Sequence, residues 1–486
     1  MVTSRAATIP FFVAWALILG AACGSSSSGS SSSPSEPNGG NDGGADVATD
    51  VPTNPSDGAA GDGGIESLLA EDQSTIALGA LSTCAILEAG SVKCWGGNPH
   101  GALGLEDAVD RGDGPGEMGA ALPVVALGRP AVAIAAGGWS ACAILDDGSV
   151  KCWGYNGYGQ LGLGDIADRG AAVGTMGAAL ATVDLGPGRT ALGIAVGAQH
   201  ACARLNDGHV KCWGRNFHGE LGLGDKISRG DGPGEMGAAL VAVDLGPGRT
   251  ARAIVANGFR TCARLDDGSV KCWGDGEFGV LGTGDENDRG DSIGEMGSAL
   301  LPIDLGPGRK VLRVSMGSRH VCAILDDVTV KCWGWNDSGQ LGLNDVMTRG
   351  DGPFEMGAAL PVVDLGPGRI PVTITAGSDY NCVRFADGAL KCWGNNDFGQ
   401  LGLGDQGRRG TGPGNQMGAV LPIVDLGVGA IVVEVAASGS TCARLSAGAI
   451  KCWGFNKNGQ LGLGDNNHRG DEPGEMGAAL PAVVWK

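Results

Sequence analysis

Positive charge is scarce in this 486-residue chain: 34 Lys and Arg stand against 53 Asp and Glu, for a net charge of −19. A broad phosphate-backbone interface needs basic residues to neutralise phosphates, so no nucleic-acid partner is expected. Aromatic residues make up 5% of the chain, and only 3 of them are Tyr. No apolar run is long enough for a membrane-spanning helix, which needs about 20 residues. No C-x-x-C pair occurs, which removes the common redox dithiol. The 6 His are scattered, and no local signature assembles a Ser/His/Asp triad. No catalytic residue, metal site or cofactor is therefore expected, and the chain is not expected to be an enzyme. What is abundant is Gly, with 91 copies, which favours tight turns over long helices.

Residues 1–23 read as an export signal. Arg5 is the only charge, and the apolar stretch from Ile9 to Ala22 ends in Leu19-Gly20-Ala21-Ala22-Cys23. Small residues before a Cys resemble a bacterial lipobox, which makes Cys23 the expected lipidation site. Gly20 stands where the usual pattern has Leu. Residues 24–70 are rich in Ser, then in Gly, Asp and Pro, with few apolar side chains. Such a segment cannot offset chain entropy by burial and is expected to be a disordered tether. The expected location is the cell envelope, as a lipoprotein of the outer membrane or cell surface, or otherwise secreted. Membrane contact is expected through the lipid alone.

The remaining stretch, 71–486, is a repeat. Fourteen cysteines form seven C-x9-C pairs: Cys84 with Cys94, Cys142 with Cys152, Cys202 with Cys212, Cys262 with Cys272, Cys322 with Cys332, Cys382 with Cys392 and Cys442 with Cys452. The first cysteines advance by 58 residues once and by 60 thereafter, and Cys23 is the only one left over. A fixed period of this length marks a repeat architecture. In one unit, Ala131–Gly137, Ala141–Leu145, Ser149–Gly154 and Ala179–Leu185 read as four short strands, which is one propeller blade. The expected fold is all-β: a seven-bladed β-propeller of four-stranded blades, closed by the C-terminal strand joining the N-terminal blade.

The turn Asp146-Asp147-Gly148 fixes a hairpin in which Leu145 faces Ser149, so Cys142 faces Cys152. Opposed Cα atoms lie about 4.5–5.5 Å apart, inside the usual disulfide range of about 4.4–6.8 Å. Export favours oxidation. Seven structural disulfides are the expected reading. Reduced buried thiols and zinc ligation are the alternatives, and zinc prefers shorter clusters than x9.

The run Trp153-Gly154-Tyr155-Asn156-Gly157-Tyr158-Gly159-Gln160-Leu161-Gly162 resembles the regulator of chromosome condensation repeat, W-G-x-N-x-x-G-Q-L-G. It recurs at Trp213, Trp333, Trp393 and Trp453, and is degraded after Trp95 and Trp273. The resemblance spans about residues 72–486 and implies a seven-bladed propeller. It also implies two alternative activities: inhibition of an exported enzyme, as by a related β-lactamase-inhibiting propeller, and guanine-nucleotide exchange. Export and acidity argue against the second.

Two motifs tempt within the repeat. Gly157–Gly162 matches G-x-G-x-x-G but lacks the following helix of a dinucleotide site. Arg-Gly-Asp occurs five times at one place in a duplicated loop, and reads as repetition rather than adhesion. A Lys precedes the second Cys in every unit and is expected to pack beside Trp with its charge paired to Asp.

The units differ most in the turn before the first Cys and in the segment after Trp-Gly, which the hairpins place on one face. Aromatic and Arg residues there match interface chemistry. The expected partner-binding residues are Trp139, Tyr155, Arg215, Phe217, Phe259, Arg260, Trp335, Tyr380 and Phe455. The expected function is a non-enzymatic binding or scaffold propeller, monomeric, that engages an unidentified protein or cell-surface component.

Overall fold

The computed structural model describes residues 74–485. The expected signal segment, Cys23 and the tether lie outside the described residues. Among the described residues, seven antiparallel sheets follow one another, each of three strands in sequence order. The first blade uses Ile76–Leu78, Ser82–Ile86 and Val92–Gly96; the second uses Ala131–Gly137, Ser140–Leu145 and Val150–Gly154. The first strand of each blade lines a central channel, so the three are called inner, middle and outer.

The fourth segment is extended but makes no ladder. In the second blade it meets the outer strand through one backbone bond, Val183 N to Val150 O at 2.8 Å. The same single bond recurs six times, for example Val243 to Val210 and Val363 to Val330. Prolines explain part of this: Pro123, Pro302, Pro361, Pro422 and Pro481 stand one or two residues before the docking residue and offer no N–H.

The C-terminal segment obeys the same rule. Val483 N donates to Ile450 O of its own blade at 2.8 Å, rather than adding a strand to the first blade. It reaches that blade through Gly119 N donating to Val484 O and Lys93 Nζ donating to Trp485 O. The seam is held deeper down as well. Glu434 accepts from Thr75 N at 2.6 Å and Ile76 N at 3.0 Å. Cys442, Ile450 and Cys452 of the last blade pack with Ile76, Ala85 and Trp95 of the first.

That packing repeats between all neighbours. The middle strand of the second blade turns Ala141, Ala143 and Leu145 toward the first blade, beside Trp153. It turns Cys142 and Ile144 toward the third blade, where Cys152 and Val150 join them against Trp213. Strand alternation thus sorts each blade into a cystine face and a tryptophan face. All seven Trp of the Cys-Trp-Gly runs are fully buried. Each Nε1 donates to a backbone carbonyl of the preceding blade: Trp153 to Ala102, Trp213 to Gln160, and Trp95 across the seam to Gln460, all at 3.0 Å.

The cysteines pair in register in all seven blades. They are joined as disulfides: Cys84 to Cys94, Cys142 to Cys152, Cys202 to Cys212, Cys262 to Cys272, Cys322 to Cys332, Cys382 to Cys392 and Cys442 to Cys452. Their Cα atoms are 4.0–4.1 Å apart, closer than the spacing expected from the hairpin alone. The hydrogen-bond pattern explains the direction of that difference. Leu145 N donates to Ser149 O and Tyr155 N to Trp139 O. Alternation from these bonds makes Cys142 and Cys152 a non-hydrogen-bonded pair, the kind with the closest Cα atoms. Cys94, Cys212, Cys272, Cys332 and Cys392 hold the same outer-strand place as Cys152, and each is buried with its partner against the next blade.

The lysines depart from expectation. Lys211 Nζ donates to Leu185 O of the preceding blade at 3.1 Å and to Gly237 O of its own at 2.7 Å. Lys271, Lys331, Lys391 and Lys451 repeat this, and Lys93 does so across the seam. Carbonyls rather than carboxylates receive the charge. Burial lowers the Lys211 ammonium from its ordinary value.

Candidate partner-binding face

The turn after each inner strand and the segment after each outer strand emerge at one end of the ring. There the side chains form an arc of rings. His100 stacks on Trp139 with centroids 5.4 Å apart and lies 4.6 Å from Tyr155. Tyr155 meets Tyr158 at 6.4 Å, and Tyr158 meets Phe217 edge-on at 5.7 Å. The Arg215 guanidinium lies between Phe217 and Phe259, 4.6 and 3.9 Å from their centroids. His218 stacks on Phe259 at 5.9 Å. Two smaller groups continue around the rim. Phe278 stacks on Trp335 at 5.4 Å with Arg319 over Trp335 at 4.3 Å, and Phe398, Phe455 and His468 cluster with centroids 5.0–5.3 Å apart.

The nine residues expected at a partner surface divide by depth. Trp139 and Phe217 are 41% and 48% exposed. Tyr155, Phe259, Trp335 and Phe455 are half-buried. Arg215 is buried and ion-paired to Glu220 at 2.9 Å, so it braces two rings from beneath. Arg260 and Tyr380 do not belong to the surface. Tyr380 is fully buried, donating to Ser440 O and bonding Thr441 Oγ1, each at 2.7 Å. Arg260 is 3% exposed, with Nη2 on Asp275 Oδ2 at 2.6 Å and Nη1 on Ser318 O at 2.8 Å.

The reason is positional. Both residues start a middle strand, two places before the first Cys, and that place points between blades. His200 and His320 occupy it too, fully buried, with Nε2 on Thr261 Oγ1 at 2.8 Å and on Asn381 Oδ1 at 3.1 Å. Sequence reasoning missed His100, His218 and His468 as rim residues. The signal was present: His100 and His218 hold the repeat position of Tyr158.

His218, Asp275 and Asp288 could each offer a metal an atom, and those atoms lie within 4.8 Å of one another. Protein groups already occupy them. Asp275 takes Arg260 and Glu277 N, and Asp288 takes Gly276 N and His218 Nδ1. The same His–Asp pair recurs at 2.7 Å as His100–Asp168, where Tyr155 replaces the third member. The Arg-Gly-Asp loops are likewise self-engaged: Arg111, Arg229, Arg289, Arg349 and Arg469 each pair with the Asp four residues earlier, at 2.6–2.8 Å.

A family model described as the RCC1-like domain matches residues 40–417. The chain belongs to the RCC1-like domain family. It is 28% identical over 399 residues to the ultraviolet-B receptor UVR8 of Arabidopsis thaliana, covering 81% of this chain and 79% of the receptor. It is 29% identical over 209 residues to the human regulator of chromosome condensation, covering 43% of this chain and 44% of that protein. Among solved structures, yeast RCC1 (Prp20) bound to Kap60 superposes with a TM-score of 0.58 over 87% of each chain, at 19% identity. At that identity the likeness is one of fold. RCC1-like propellers of this kind are protein-binding or regulatory modules.

Proposed function

We propose that this RCC1-like propeller is a non-catalytic module that binds a protein partner through the aromatic arc on one face. The observation that carries the reading is the continuous run His100–Trp139–Tyr155–Tyr158–Phe217–Arg215–Phe259, which crosses from the first blade to the fourth. Its members sit where the repeat does not need them: blades without an aromatic at those positions keep the same core. Aromatic rings supported by a fixed guanidinium are the residue types that dominate interface energetics. The proposal includes an exported location with an anchor at Cys23, supported by the N-terminal sequence and by cysteines placed for oxidation in every blade.

The test is photo-crosslinking from the Tyr158 position, which lies between Tyr155 and Phe217 in the arc, in the exporting cell, followed by mass spectrometry. A specific partner should be captured by the wild type and lost with Trp139→Ala/Phe217→Ala/Trp335→Ala. That variant should keep the melting temperature of the wild type to within a few degrees, since the seven core Trp are untouched. Equal capture by the folded variant refutes the face.

A further inference from the structure

Seven residues other than Gly hold a left-handed backbone among the described residues. Four of them gain a side-chain contact there. Glu106 Oε1 accepts from Gly174 N and Met176 N at 2.9 and 3.0 Å, and Asn344 Oδ1 accepts from Met417 N at 2.8 Å. His100 and Phe278 stack on Trp139 and Trp335. Of the other three, Ala89 exposes only a methyl group and Val328 is half-buried. Phe354 is different: at a φ of +70° it is 94% exposed.

Five other blades place Gly there. Gly116, Gly174, Gly234, Gly294 and Gly474 each precede a Glu-Met or Thr-Met pair, with φ of 81–87°. A Cβ on any of the five would meet nothing within 4 Å, so the place faces open space and the backbone alone favours Gly. A bulky ring there is strained and hydrated at once. Strain of this kind persists where function retains it. The loop that carries Phe354 is braced. Glu355 Oε2 accepts from Gly350 N and Gly352 N at 2.8 and 3.0 Å, and Arg349 pairs with Asp345 at 2.8 Å. It lies against the fourth blade: a Cβ on Gly279 would fall 2.2 Å from Asp351 N, and one on Gly284 would fall 3.8 Å from Pro353 Cα. Gly279 follows Phe278, so the loop borders the Phe278–Trp335 group. A ring presented on a braced loop loses little freedom on binding.

The surroundings set the chemistry of a partner. In the same blade Val346 and Met347 are 49% and 64% exposed, which widens the apolar contact. The fourth-blade loop 283–295 carries five acids and one Arg, and the fifth-blade loop 345–355 carries three acids and one Arg. Both arginines are engaged, Arg289 with Asp285 at 2.7 Å and Arg349 with Asp345 at 2.8 Å. An anionic lipid surface or a second copy of this acidic chain would be repelled there, and a basic protein surface would be drawn in. Aromatic anchors that fill apolar pockets dominate the energetics of protein interfaces. We propose that Phe354 is the anchor for a protein partner that presents an apolar pocket rimmed by Lys and Arg.

The site uses none of the residues of the arc from His100 to Phe259 and is tested apart from it. Full-length protein with benzoylphenylalanine in place of Phe354 is irradiated in the cells that produce it. One protein adduct is expected, its linked residue in an apolar pocket flanked by Lys or Arg, and its yield should fall when ionic strength is raised before irradiation. The captured protein, once purified, should bind Phe354→Gly about tenfold or more weakly than the wild type. That variant should melt at or above the wild-type temperature, because Gly relieves the left-handed strain. Phe354→Asn also tolerates that backbone and should bind as weakly, which serves if the Gly variant melts lower. No protein adduct, adducts only to lipid or to a second copy of this chain, or wild-type affinity in either folded variant overturns the proposal. Absence of capture from the Tyr158 position beside capture from position 354 would refute the arc and leave this anchor standing.

Discussion

His200 and His320 give the sharpest test of the inter-blade packing. The Thr261 hydroxyl donates to Glu220 O at 3.0 Å, so it accepts from His200, whose proton therefore sits on Nε2. Asn381 Nδ2 likewise donates to Gln340 O, leaving its Oδ1 to accept from His320 Nε2. In both rings Nδ1 is buried with no partner among the described residues. Gly197 and Gly317 press against the rings so closely that a Cβ would lie 2.3 and 2.2 Å from Cε1. A second proton on Nδ1 finds no acceptor among the described residues. Burial accordingly lowers His200 from 6.5 to about 3 and His320 to about 4.

The sign follows from where protons bind. Between the folded values and 6.5, the unfolded chain takes up a proton at each His and the folded chain does not. Stability is therefore intact above pH 6.5 and is lost as pH falls toward the folded values. At about pH 4.5 the penalty is about 2.5 kcal/mol for each ring, or about 5 kcal/mol for both. His200→Ser/His320→Ser installs the residue that the first, second and seventh blades carry there. The variant starts weaker at neutral pH because two cavities open, but it lacks this acid penalty. Guanidinium unfolding followed by Trp fluorescence at about pH 7.5 and pH 4.5 should show the gap between wild type and variant shrinking, and even reversing, by about 5 kcal/mol. Carboxylate titration affects both proteins and cancels. A gap independent of pH refutes the neutral, buried assignment.

Two further outcomes follow from the same packing. Trp213→Phe keeps an aromatic ring but leaves Gln160 O without its donor, which should cost about 1–3 kcal/mol of unfolding free energy; a loss below about 0.5 kcal/mol would mean that the indole bond is dispensable. Alkylation of the purified protein without reductant should label none of the fourteen repeat cysteines, and reduction should lower the melting temperature; fourteen labelled thiols would refute the oxidised state.

The blade count, the hairpin register and the cysteine opposition were legible because each rests on an exact repeat spacing. Leu145, Ser149 and the Asp-Asp-Gly turn settle where Cys142 must face. The fourth strand does not join the sheet, because Ala179–Leu185 has the apolar content of a strand but only Val183 bonds the outer strand, through one backbone bond to Val150. Apolar composition reports burial, and here the burial is against a neighbouring blade rather than within a sheet. The lysine ring was misread for a related cause: nearby Asp residues in sequence suggested ion pairs, while the carbonyls that receive Lys211 lie 26 residues away in either direction.

Arg260 and Tyr380 show why variation between repeats is an incomplete guide to a binding surface. Ser, His, Arg and Tyr all occupy the place two residues before the first Cys, and all are buried. Three blade junctions there close with different polar pairs: His200 with Thr261, His320 with Asn381, Tyr380 with Thr441. Such diversity arises when two positions must change together to keep buried polar groups bonded. The position after Trp-Gly follows such pairing in three blades, where Arg215 meets Glu220, Asp275 meets Arg260 and Asn395 accepts from Gln400; the rings of Tyr155, Trp335 and Phe455 instead meet other rim side chains, so they are open to selection by something outside the ring. Paired variation marks the joints of this propeller, and unpaired variation marks its candidate contacts.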